Sequence, residues 1–94
     1  MIANLITCDP KIRHGRPCIA GTGITVHRVA TWYQLGSSAE EITHQYPHLS
    51  LDGVYAALAY YHANRVEIDR EIDADEAMAR QLESQHLNRL STVS

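Results

Sequence analysis

The chain has 94 residues, is 45% hydrophobic and 20% charged, and carries a net charge of −3. Those totals describe one small globular domain with no room for a second core. No apolar run approaches the ~18 residues of a membrane span. Met1–Pro10 also lacks a basic segment followed by an apolar one, so no secretory leader is expected and the cytoplasm is the default location.

The charge is unevenly distributed. Residues 1–36 hold Lys11, Arg13, Arg16 and Arg28 against Asp9 alone, a net of +3, whereas residues 37–94 hold four arginines against ten acids, a net of −6. The basic third is suited to phosphates, and Lys11, Arg13, Arg16 and Arg28 are the candidate nucleic-acid contacts. The bland alternative is a solvated surface of uneven charge.

The first quarter reads as short strands and turns. Leu5–Thr7 is a candidate strand ended by Asp9-Pro10, and His14-Gly15-Arg16-Pro17 is a turn. Pro17–Ala20 is a second strand, followed by the permissive Gly21-Thr22-Gly23. Cys8 and Cys18 are expected to be reduced, with a hairpin disulfide as the alternative. A hairpin this short is marginal by itself, so pairing between two chains is expected for the Leu5–Ile24 element.

Three punctuated helices follow. Val26, Val29, Ala30 and Tyr33 recur at i, i+3, i+4, i+7, with Thr25 as cap and Gly36 as stop. Ser37 with Glu40, or Ser38 with Glu41, makes a capping box for a second helix that buries Ala39, Ile42 and Tyr46 and stops before Pro47. Ser50 caps a third helix with the stripe Leu51, Val54, Tyr55 and Leu58, and Asp52 suits its positive end. The short Pro47–Ser50 connection, with a helix before it, predicts a trihelical helix-turn-helix core. A small bundle with no DNA role has the same signature.

From Arg65 to about Leu90 no Gly or Pro interrupts the helical pattern. Its apolar stripe, Ile68, Ile72, Ala79 and Leu82, is thin and flanked by charges, so this helix is expected to cover a second chain or a partner. The alternative is a solvated helix along its own domain. The organisation expected is residues 1–65 as β element plus core and residues 66–94 as a contact helix.

Catalytic and metal signals are weak, and neither an enzyme nor a bound metal is expected. His44 and His48 have a ligand spacing, but Pro47 interrupts their helix. Cys8, His14, Cys18 and His27 lack the close ligand pair of structural zinc sites. Asp69, Asp73 and Glu76 share a helix face without a cavity, which reads as a solvated face. Gly21-Thr22-Gly23 is too short for a phosphate loop and has no following lysine.

Asp9-Pro10, Gly15–Ile19, Gly21–Val26, Gly36–Ile42 and Tyr46–Asp52 stand in the order and spacing of a short bacterial family, domain of unknown function 433, which Ile6–Tyr60 resembles. The resemblance implies a homeodomain-like trihelical core behind a small β element, and kinship with antitoxins of the VapB type. In that picture a homodimer binds operator DNA in its own promoter. Its C-terminal region covers a PIN-like ribonuclease toxin, without a cofactor. The toxin contacts would be Ile68, Arg70, Ile72, Arg80, Leu82 and Arg89, with an arginine pairing the carboxylates of the nuclease site. The family usually has Arg after Gly-Thr, where this chain has Gly23; Arg16 and Arg28 are the nearby candidates for its role. On the third helix Asp52 and Gly53 stand at the exposed start, where a recognition helix reads bases, and are poorly suited to it.

Overall fold

The computed structural model describes residues 4–93; the outer ends of the two expected segments, residues 1–3 and residue 94, lie outside them. Two short strands, β1 (Ile6–Thr7) and β2 (Cys18–Ile19), precede four helices: α1 (Val26–Gln34), α2 (Ala39–Gln45), α3 (Leu51–Ala63) and α4 (Arg65–Val93). The protein is mainly helical, as expected, with a small antiparallel sheet near the N-terminus. None of the described helices is long and apolar enough to cross a membrane.

The strands pair with each other within one chain, Ile6 opposite Ile19 and Thr7 opposite Cys18. Two-residue strands persist because β2 bonds on both sides. The Ala20 amide donates to Leu5 O at 2.7 Å, and the Ile19 amide donates across the turn to Ile24 O at 2.9 Å. β2 also lies against α3, which supplies the apolar cover a bare hairpin lacks. Cys18 is buried and Cys8 exposed, and both are free thiols.

The helices begin at the expected caps. Thr25 Oγ1 accepts from the Arg28 amide, and Ser50 Oγ from the Gly53 amide. Of the two possible capping boxes, Ser38 with Glu41 forms, both halves present. Gly36 ends α1 at φ 101°, a left-handed conformation that favours glycine.

α3 is the hub, contacted by α1, α2, α4 and both strands. That explains a departure from the predicted stripe. Leu51 and Tyr55 are exposed, while Gly53, Val54, Ala56, Ala57, Leu58 and Tyr61 are buried. A helix enclosed from several sides buries more than one stripe, and the small residues Gly53, Ala56 and Ala57 let the neighbours approach. Tyr55 instead donates from the surface to Glu40 Oε1 of α2 at 2.6 Å. Tyr33, expected inside, is also exposed, and Tyr46 is half-buried, stacked on Trp32 with centroids 4.5 Å apart.

Asn64, at φ −130°, breaks the chain between α3 and α4. The first two turns of α4 return to the domain: Ile68 and Ile72 are 2% and 6% exposed and join Val26, Val29, Val54 and Tyr61 in one core. Beyond Ile72 the helix projects. Every residue from Asp73 to Arg89 is exposed, and the molecule measures 56 × 28 × 24 Å.

Candidate functional site

The basic residues are gathered by an unusual turn. Arg13, His14 and Gly15 all have positive φ, at 50°, 58° and 81°. Left-handed backbone costs about 1–2 kcal/mol at a non-glycine residue, so two in succession need compensation. Part of it comes from the Arg13 side chain, whose Nε donates to Gly23 O at 3.1 Å. The turn is further tied by the Gly15 amide to Ile12 O and the Arg16 amide to Arg13 O. The Arg13 guanidinium therefore lies over Gly23 and the start of α1. A Cβ at Gly23 would sit 3.7 Å from it, in ordinary contact.

The chain leaves the turn extended at Arg16, φ −65°, ψ 145°, and the guanidinium reaches α4. Nη1 and Nη2 donate to the two carboxylate oxygens of Asp75 at 2.6 and 3.2 Å. The hydrogen bond holds the Asp75 carboxyl below the usual aspartate range and raises Arg16 further. Arg28, in the first turn of α1, places its guanidinium 5.9 Å from the Trp32 ring centre, a cation–π distance. Arg13, Arg16 and Arg28 thus line one open cleft of about 730 Å³, with Thr25 and His27 beside them and Asp75 and Glu76 on the α4 wall.

Three of the four predicted nucleic-acid contacts therefore converge. Lys11 is exposed, but it is not a lining residue of the cleft. Arg13, not singled out for the role of the arginine absent at position 23, is the guanidinium nearest that position.

Further polar links lace α4 onto α1 and α3. His27 is buried, 5% exposed, with Nε2 3.0 Å from Glu71 Oε1. Its Nδ1 is buried without a hydrogen-bond partner among the described residues. Tyr61 donates to Asp69 Oδ1 at 2.7 Å, and Gln34 Nε2 donates to both Tyr61 Oη and Asp69 Oδ1. Part of the charge asymmetry of the sequence is used inside the molecule, where Arg16 and His27 of the N-terminal segment meet acids of α4. These pairs join residues 44 and 59 positions apart, and no local spacing signals them.

The expected partner contacts divide. Ile68 and Ile72 are core residues of the chain itself, a correction to their place in the partner-facing stripe, because the docked turns of α4 need them. Arg70, Arg80, Leu82 and Arg89 are exposed. Met78 and Leu87, absent from the predicted set, are 63% and 57% exposed beside Leu82 at 60%. Gly53 corrects another expectation: it is buried against β2, and Asp52 accepts from the Gly53 amide at 3.0 Å. Among the described residues no group of three His, Cys, Asp or Glu is placed to hold a metal ion.

The arrangement is a small helical core with a cleft lined by three arginines and two acids, and a projecting helix. The model of the family described as protein of unknown function (DUF433) matches residues 6–61, more than half of the chain, and the protein belongs to that family. It is similar to a solved DUF433 member from Anabaena variabilis ATCC 29413, with 34% identity and a TM-score of 0.69. The similarity covers 78% of this chain and 72% of that one. No curated protein matches.

Proposed function

We propose that this protein is the antitoxin of a type II toxin–antitoxin pair, a non-catalytic homodimer that neutralises a PIN-like ribonuclease and binds promoter DNA. The observation that carries the reading is the distal half of α4. Every residue from Asp73 to Arg89 is exposed, and beyond the Arg16–Asp75 contact Met78, Leu82 and Leu87 are bare of cover. A helix this polar gains little by standing alone in water, and ordering on a partner supplies the missing burial. The partner class is argued from charge: Arg70, Arg80 and Arg89 are exposed on a thinly apolar, highly charged helix, in keeping with carboxylates at a metal-dependent nuclease site. In this reading α1–α3 form the homeodomain-like core of the dimer, and Lys11, Arg13, Arg16 and Arg28 meet DNA phosphates.

Co-expression with the neighbouring open reading frame tests it. The expected result is a stable complex whose ribonuclease activity is suppressed, and restored when Arg70, Arg80 and Arg89 are all replaced by Ala. A neighbour that is no nuclease, or a complex indifferent to the three substitutions, counts against it.

A second reading, a dimeric interaction module without DNA affinity, has its own support. Arg16 is committed to Asp75, and the start of α3 offers only Asp52 and a buried Gly53. A promoter duplex that fails to shift at low salt selects it.

A further inference from the structure

We infer that the cleft between the N-terminal turn and α1 is a phosphate-binding site which α4 closes in cis, Asp75 standing in for the ligand. The geometry carries this. Three guanidinium groups from separate points of the sequence line one concavity, together with the opening turn of α1. A nine-residue helix directs its positive end there. The occupant of the Arg16 fork is a carboxylate whose two oxygens are bound as two phosphate oxygens would be, at 2.6 and 3.2 Å. Glu76, on the same wall, adds a second negative charge.

The closure is a side-chain gate and not a folding event. Asp75 lies three residues beyond Ile72, the last core residue of α4, and the pair is open to water, with side-chain exposures of 31% for Arg16 and 55% for Asp75. An exposed pair of this kind is a weak lock, so a rotamer change at Asp75 frees the fork while Ile68 and Ile72 keep the helix docked. Anything that draws the acidic side of α4 away from the cleft therefore favours anion binding, which couples the two surfaces. The phosphate is free or part of a nucleic-acid backbone; the second source rests on the DNA reading above, the first does not.

The test uses the full chain and two probes, inorganic phosphate followed by amide chemical shifts and a 20-base-pair duplex followed by anisotropy. Asp75→Asn with Glu76→Gln should tighten phosphate binding about fivefold, with shifts centred on Gly23–Arg28, and Arg13→Ala with Arg28→Ala should remove the gain. Asp73→Asn with Glu83→Gln makes the same charge change away from the cleft and should leave affinity near wild type. Equal gains from both acid pairs, or a gain that survives loss of Arg13 and Arg28, would overturn the inference. On the duplex the cleft variant should steepen the salt dependence by about one unit for each arginine it frees. Tighter phosphate with unchanged duplex binding supports the gated site and sinks the DNA reading instead.

Discussion

Replacing Gly53 by Ala sets two known effects against each other. Gly53 is in the first turn of α3, and in an ordinary helix Gly→Ala stabilises by about 1 kcal/mol. Here an added Cβ would lie 2.9 Å from Ile19 Cγ2 and 2.9 Å from Ser50 Oγ. Carbon–carbon contacts are optimal near ~3.5–4.0 Å, so β2 would have to retreat by more than half an ångström. β2 is bonded on both sides and cannot yield cheaply, and overpacking of this kind costs about 1–3 kcal/mol. Displacing Ser50 also weakens a cap worth about 1 kcal/mol. The sum is a net loss of about 1–2 kcal/mol, which in a domain of this size lowers Tm by roughly 5–15 °C. Thermal unfolding followed by circular dichroism measures it. Gly23→Ala is the control, because its Cβ would meet only the Arg13 side chain, at 3.7 Å, and it should leave Tm nearly unchanged or slightly raised. An unchanged or raised Tm for Gly53→Ala would refute the argument that the α3–β2 approach is closed to a methyl group.

Other outcomes follow from the same contacts. Ser38→Ala removes one half of the capping box of a seven-residue helix and should cost about 1 kcal/mol in denaturant unfolding; Ser37→Ala should cost much less. Burial pushes the Cys18 thiol up, so the native protein should take up one equivalent of a thiol reagent quickly, at Cys8, and the second only on unfolding, as mass spectrometry would show. The Asp75 carboxyl is depressed chiefly by its hydrogen bond with Arg16. Its pairing therefore contributes at neutral pH and is lost as the pH falls through and below the ordinary aspartate range. Arg16→Ala should move the Asp75 carboxyl titration upward in NMR, with a stability cost within about 1 kcal/mol because both groups are partly exposed.

Local signals in the sequence translated well. Caps at Thr25, Ser38 and Ser50 are chemistry between residues three apart, and each stands where polar punctuation precedes an apolar period. The short strands were visible for a similar reason, as apolar runs cut by Pro and Gly. The failures share one cause, since periodicity assumes one buried face. α3 is enclosed by five neighbouring elements, so its true buried set includes Ala56, Ala57 and Tyr61 rather than Leu51 and Tyr55. α4 carries one apolar stripe but meets two environments, so Ile68 and Ile72 are core while Leu82, in the same stripe, is bare. The candidate cleft was half legible: composition singled out its arginines, but nothing short of the fold brings Asp75 to Arg16.

The folded pairing changes what the charge asymmetry means. The basic N-terminal third reads in the sequence as a surface for phosphates or as a solvated surface of uneven charge. In the folded chain Arg16 meets Asp75 and His27 meets Glu71, so the basic segment and α4 are each other's first partner, and an external ligand of either would compete with an internal one. The competition is confined to the docked part of α4. Asp69, Glu71 and Asp75 face the body of the protein, whereas Arg80, Leu82 and Leu87 lie past the last contact. A partner gripping only the distal helix would leave the lacing intact. One that also claims the helix near Asp75 would expose the arginines of the cleft. The reach of a partner along α4 is therefore the variable that decides whether the two surfaces act independently or together.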